Sequence, residues 1–114
     1  MKWTDETLPD KVVGKVEGRI YEATWEAFAN QMIGGVRKAR DAGLSLLVVD
    51  LTKLDYMSSR GLRALTLASR EAVKPEAVTI ILAAPNDQMR EILEISRYDK
   101  IFKVVDNVAA AVPG

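Results

Sequence analysis

Ser58-Ser59-Arg60-Gly61 is the stretch of this sequence whose residue types could carry chemistry. Two hydroxyls stand side by side, Arg60 follows directly, and Arg63 comes three positions after Arg60. A serine hydroxyl can accept a phosphoryl group, and a guanidinium can hold phosphate oxygens in its planar fork. The same residues have plainer uses. Ser before a helix serves as an N-cap, and two Arg near a helix start also make a solvated face. Asp50 and Asp55 could be acid–base carboxylates or metal ligands, but no third ligand stands beside them. A turn role suits both better.

The rest of the composition narrows the chemistry. Cysteine and histidine are both absent, which removes disulfides, thiol chemistry, the usual zinc and haem ligands and any His general base. No Gly-x-Gly-x-x-Gly or P-loop pattern occurs, so nucleotide-dependent catalysis has no motif. We therefore expect no enzyme activity, no cofactor and no metal. Lys+Arg and Asp+Glu are both 16, so there is no basic excess of the kind nucleic-acid binding needs, and no direct nucleic-acid contact is expected. The apolar runs Leu44–Val49 and Val78–Ala84 are far too short to cross a bilayer, and the N-terminus lacks the apolar stretch of a signal peptide. The expectation is a cytoplasmic protein with no membrane insertion. At 114 residues and 48% hydrophobic, the chain can bury a core in a single domain, 1–114.

These elements must position the serine pair. Lys11–Ile20, with Val12, Val13, Val16 and Ile20, predicts one or two strands, and residues 1–8 an edge strand before it. Thr24 is placed to cap a helix whose stripe is Trp25, Phe28, Ala29, Met32, Ile33, Val36 and Ala39, ended by Gly43; Trp25, Phe28 and Met32 are expected in the core. Gly34-Gly35 weakens that helix. Leu46–Asp50 predicts a strand buried on both faces, followed by a turn over Leu51–Met57. A second helix should run from near Ser59 to about Ala72, with Leu62, Leu65 and Ala68 toward the sheet and Arg63, Arg70 and Glu71 toward solvent or a partner. Gly61 is expected to allow close packing. Val78–Ala83 predicts a strand, Asn86 caps a third helix with Met89, Ile92 and Leu93, Ile101–Val105 is a last strand, and Val108–Val112 a last helical turn or two. Strands alternating with helices imply an α/β fold. The sheet should be mixed, with four or five strands, parallel ones in the centre, and about four helices mainly on one face.

The segment Val48-Val49-Asp50-Leu51-Thr52-Lys53-Leu54-Asp55-Tyr56-Met57-Ser58-Ser59-Arg60-Gly61-Leu62-Arg63-Ala64-Leu65 resembles STAS domains, and among them the bacterial anti-sigma-factor antagonists. Those proteins show a buried strand ending in Asp-Leu, a short turn, an aromatic residue, then Asp- or Ser-Ser-x-Gly-Leu opening a helix. Glu17-Gly18-Arg19-Ile20 and Ile92–Phe102 resemble flanking family segments. Two positions depart from the pattern. Many antagonists have Asp where this chain has Ser58, which removes a charge. The family's frequent Gly before Tyr98 is Arg97 here, which predicts a difference in that loop.

The resemblance implies a role for Ser59. In such antagonists the equivalent serine is phosphorylated by a partner that is both anti-sigma factor and serine kinase, and phosphorylation releases the complex. It makes Ser59 the expected phosphorylation site. It also makes Ser58, Ser59, Arg60, Gly61 and Arg63 the expected partner-binding stretch, with a phosphoserine phosphatase as a further partner. Read from the local pattern, Ser58 is the better N-cap. A second role within the same fold is a scaffold subunit of a stress-sensing complex or an accessory subunit of a membrane transporter.

Overall fold

The computed structural model describes residues 1–113. Five strands form one sheet in the order β1-β2-β3-β4-β5: β1 Lys2–Thr7, β2 Val12–Ile20, β3 Leu46–Met57, β4 Thr79–Ala83 and β5 Lys103–Val105. β1 pairs antiparallel to β2 and forms one edge, β5 forms the other, and all other pairings are parallel. β3 and β4 are adjacent, with β3 at the centre, as the apolar runs predict. Three α-helices are present among the described residues: α1 Trp25–Asp41, α2 Ser59–Ala72 and α3 Asp87–Ile95. The expected fourth helix is a single 3₁₀ turn, Val108–Ala110. The reason is length: one short segment before Pro113 cannot offset the cost of helix nucleation.

Side-chain alternation explains the layering. Val12, Val16 and Ile20 of β2, Leu47 and Val49 of β3, and Ile80 and Leu82 of β4 face one way, into the core shared with all three helices. Val13, Leu46, Val48, Ile81 and Ala83 face the other way, where Leu8, Val108 and Ala111 pack over them. Lys11 fastens this covering. It is only 7% exposed, and its Nζ donates to the carbonyls of Ala111 at 2.7 Å and Val108 at 3.3 Å. The helices thus occupy one face and the C-terminal turn covers part of the other.

β3 corrects the expected turn. Leu51–Met57 stays extended and remains paired with β2. The register jumps twice, between Lys15 and Glu17 and between Gly18 and Arg19, and each jump takes one extra residue on β3. Bulges of this kind add a residue without ending a ladder. They bring Leu51, Leu54 and Met57, spaced three apart, onto the same helix-covered face. That spacing breaks strand alternation, which is why the sequence reads as a turn. Asp50 and Asp55 therefore lie in a strand. Asp50 Oδ1 accepts from the Thr52 N–H at 3.0 Å and its hydroxyl at 2.6 Å, closing the first bulge locally.

α1 buries Phe28, Ala29, Met32, Val36 and Ala39 of the expected stripe, and Gly35 beside them. Trp25 and Ile33 depart from it: both are half-buried at the rim of the core. Gly43 ends the helix at φ 72°, while its N–H donates to Arg40 and the Leu44 N–H to Ala39, a Schellman arrangement. Thr24 does not cap by its side chain. Its Oγ1 accepts from the Tyr21 N–H at 3.0 Å and donates to the Arg19 carbonyl at 2.8 Å, knotting the β2–α1 loop. Trp3, silent in the sequence, lies over Gly14, where a β-carbon would collide with its ring, and is tilted against Phe28 at 6.4 Å between centroids.

In α2, Leu65 and Ala68 are buried and Leu62 half-buried against the core, while Arg63 and Arg70 are exposed. Glu71 is the correction on this helix. It is 8% exposed, not solvent-facing, because Arg37 and Arg40 of α1 and Lys74 converge on its carboxylate.

Candidate functional site

The β2–β3 ladder runs up to the serine pair. The Ser58 N–H donates to the Ile20 carbonyl at 2.8 Å, so the strand is still held at the residue before the helix. Ser58 is extended, with φ −78° and ψ 175°, and α2 begins at Ser59. The Leu62 N–H returns to the Ser58 carbonyl at 3.0 Å, closing the first helical turn. Gly61 lets that turn sit down on the strands: a β-carbon there would collide with Met57 and lie 2.8 Å from Ile20 Cγ2. Packing is thus the reason for the glycine, as expected from the sequence.

The two hydroxyls part company. Ser58 occupies the N-cap position but makes no side-chain cap bond, and its Oγ is buried without a partner. The capping role expected of it is not fulfilled, because the side chain is turned into the packed junction. Ser59 is exposed at the first helical position. There the backbone N–H groups of a helix lack intrahelical acceptors and the helix dipole is positive. Ser59, Arg60 and Arg63 line one shallow surface concavity. Of the five residues expected at a partner surface, these three present side chains outward. Ser58 is half-buried and Gly61 buried beneath them.

Two neighbours escaped the sequence reading. Arg60 Nε lies 2.8 Å from Glu22 Oε2, and its guanidinium carbon sits 5.7 Å from the centroid of the Trp25 ring. Arg19 likewise lies over Tyr56, at 5.0 Å from the ring centroid. The Thr24 knot around Tyr21 was the available signal, since Thr in a short loop commonly ties its own backbone. The partners across 35 or more positions had none. Among the described residues no group of three or more Asp, Glu, His or Cys side chains is placed to hold a metal ion, and no helix is long and apolar enough to cross a membrane.

The chain is an α/β domain, with a mixed five-stranded sheet, its helices on one face, and a serine pair where a central strand meets a helix. The chain belongs to the STAS domain family, whose model matches residues 2–111. It is 29% identical over 111 residues to BtrV of Bordetella bronchiseptica, provisionally named an anti-sigma factor antagonist, covering 97% of this chain and 91% of BtrV. Its fold is similar to an anti-sigma-factor antagonist domain protein of Planctomyces limnophilus, with TM-score 0.79 and 13% identity over 95% of this chain and 92% of that one. It is also similar to the antagonist SpoIIAA in its unphosphorylated form, with TM-score 0.72 and 17% identity over 96% of this chain and 92% of that one. The phosphorylated form of SpoIIAA, a Bacillus cell fate determinant, gives TM-score 0.62 and 19% identity over 96% of each chain.

Proposed function

We propose that this protein is a cytoplasmic anti-sigma-factor antagonist. Unphosphorylated, it binds an anti-sigma factor that is also a serine kinase. Transfer of the γ-phosphoryl group of ATP to Ser59 Oγ, with loss of the hydroxyl proton and release of ADP, ends that binding. A phosphoserine phosphatase would restore it. The domain is a binding module and performs no catalysis itself. The observation that carries the reading is Ser59: exposed at the first position of α2, at the end of a continuous strand ladder, beside Arg60 and Arg63. The kinship with BtrV and the existence of SpoIIAA in a phosphorylated form support it.

The magnitudes allow a switch without unfolding. A carboxylate near a helix N-terminus stabilises by about 0.3–1 kcal/mol, so the domain tolerates a negative group at position 59. A desolvated, unpaired charge in an interface costs about 2–5 kcal/mol, roughly a factor of thirty to several thousand in affinity. Titration of wild type, Ser59→Ala and Ser59→Asp against the cognate anti-sigma factor tests this. Ser59→Ala should bind as wild type and resist phosphorylation; Ser59→Asp should lose affinity while melting normally. Equal affinity for all three, or phosphate mapped to Ser58, overturns the reading and favours a scaffold role within the same fold.

A further inference from the structure

We propose that Arg60 is a parked arm, held by Glu22 and Trp25 in the unmodified chain, and that a phosphate on Ser59 draws it away. The inference rests on Ser59 as phosphoacceptor and adds the structural response of the site. In the structure Arg60 reaches from the first turn of α2 to the β2–α1 loop, where Glu22 holds its Nε at 2.8 Å and the Trp25 ring lies under its guanidinium. The Thr24 knot fixes the loop that carries Glu22. The hold itself is loose, since the Arg60 and Glu22 side chains are 54% and 73% exposed and water screens such a pair.

A phosphoserine brings about −1.5 to −2 charges and three acceptor oxygens, against the single charge of Glu22. It would stand in the concavity that Arg60 already lines, so the arm needs only side-chain rotation to reach it. Bidentate pairing of guanidinium with phosphate favours the exchange further. Arg63, one turn on, has no ion-pair partner among the described residues and closes on the same phosphate from its own side. Phosphorylation then alters three things at once. The hydroxyl becomes an anion, Glu22 loses its counter-charge, and the face of Trp25 is uncovered. Glu22 and Trp25 thereby become residues by which a partner distinguishes the two forms, although both lie more than thirty positions before Ser59 in sequence.

The arm is tested on the chain alone, and partner binding is then measured on the same samples. The full chain is prepared with phosphoserine installed at position 59 during synthesis, and the Arg60 Nε–H and both tryptophan indole N–H signals are followed by NMR, with assignment from Trp25→Phe. The expected result is a shift of the Arg60 and Trp25 signals, with Trp3 unmoved. Glu22→Gln in the unmodified chain should shift Trp25 in the same direction, and phosphoserine should then add little. Arg60 and Trp25 signals that stay in place on phosphorylation overturn the proposal, as does a Glu22→Gln chain whose Trp25 signal is unchanged. Loss of partner binding without movement of Arg60 would leave the phosphorylation switch standing and remove the arm. Movement of the arm with undiminished binding of the anti-sigma factor would do the reverse.

Discussion

Arg40 and Glu71 meet across the seam between α1 and α2: Arg40 Nη1 lies 3.2 Å from Glu71 Oε2, and Arg40 Nη2 donates to the carbonyl oxygen of the same residue at 2.8 Å. Arg37 Nη2 at 3.0 Å and Lys74 Nζ at 3.4 Å take the other carboxylate oxygen. One carboxylate therefore ties α2 to two positions of α1. Burial alone would raise the Glu71 carboxyl; hydrogen bonds from Arg37, Arg40 and Lys74 outweigh it and hold it below its ordinary value. Asp5 is held low as well, chiefly by the hydrogen bond from Lys38, with Trp3 adding to it and burial opposing.

The direction of the acid response follows. A carboxylate whose folded pKa is below its unfolded value stabilises the fold above the ordinary carboxylate range, about 4, and loses that contribution as pH falls through the lowered value. Urea unfolding midpoints should be flat near neutrality and fall below about pH 4. Glu71→Gln should be less stable at neutral pH and show a shallower acid limb. A Glu71→Gln curve parallel to wild type would show that the clasp does not contribute.

The two helix N-cap residues should respond unequally to alanine. Asn86 Oδ1 accepts from the Met89 N–H at 2.8 Å, and its Nδ2 donates to the Leu54 carbonyl at 3.2 Å. Asn86→Ala should cost about 0.5–2 kcal/mol. Ser58 Oγ has no bond to lose, so Ser58→Ala should stay within about 0.5 kcal/mol of wild type. Chemical denaturation of both variants decides; a large loss for Ser58→Ala would mean that its hydroxyl does cap α2.

Two glycines in helices should also separate. A β-carbon at Gly34 meets nothing within 4 Å, so Gly34→Ala should stabilise by roughly 0.5–1 kcal/mol through helix propensity and unfolded-chain entropy. At Gly61 the β-carbon runs into Met57 and Ile20, and Gly61→Ala should destabilise by about 1–3 kcal/mol. Equal midpoints for the two variants would contradict the close seating of α2 on β2 and β3.

Arg97 stands where related domains often have Gly, and it adopts φ 63° and ψ 18°, the left-handed conformation that glycine enters freely. The arginine keeps the turn and bears its strain. A left-handed non-glycine residue costs about 1–2 kcal/mol, and glycine loses about 0.4–1 kcal/mol more unfolded-chain entropy. Arg97→Gly should therefore raise stability by up to about 1.5 kcal/mol. A fall in the denaturation midpoint would show that the exposed Arg97 side chain contributes contacts of its own.

Local chemistry decided much of this protein. The α/β class, the order of elements, the central place of Leu46–Asp50 and Val78–Ala83, the Gly43 stop and the Asn86 cap are all written in short-range spacing, because hydrophobic period and capping act within a few residues. The serine pair at the start of a helix was legible for the same reason. Tertiary structure decided what depends on distant partners. Leu51–Met57 became strand because β2 supplied a bulged ladder for it. Glu71 turned inward because Arg37 and Arg40, more than thirty positions earlier, were waiting across the seam. Lys11 was buried because the C-terminal carbonyls of Val108 and Ala111 came to it. Ser58 and Ser59 are adjacent and identical in type, yet one hydroxyl is buried and the other residue exposed, since the packing of Gly61 on Met57 and Ile20 sets how the helix start meets the sheet. Arg60 met Glu22 and Trp25 only when α2 was laid beside the start of α1.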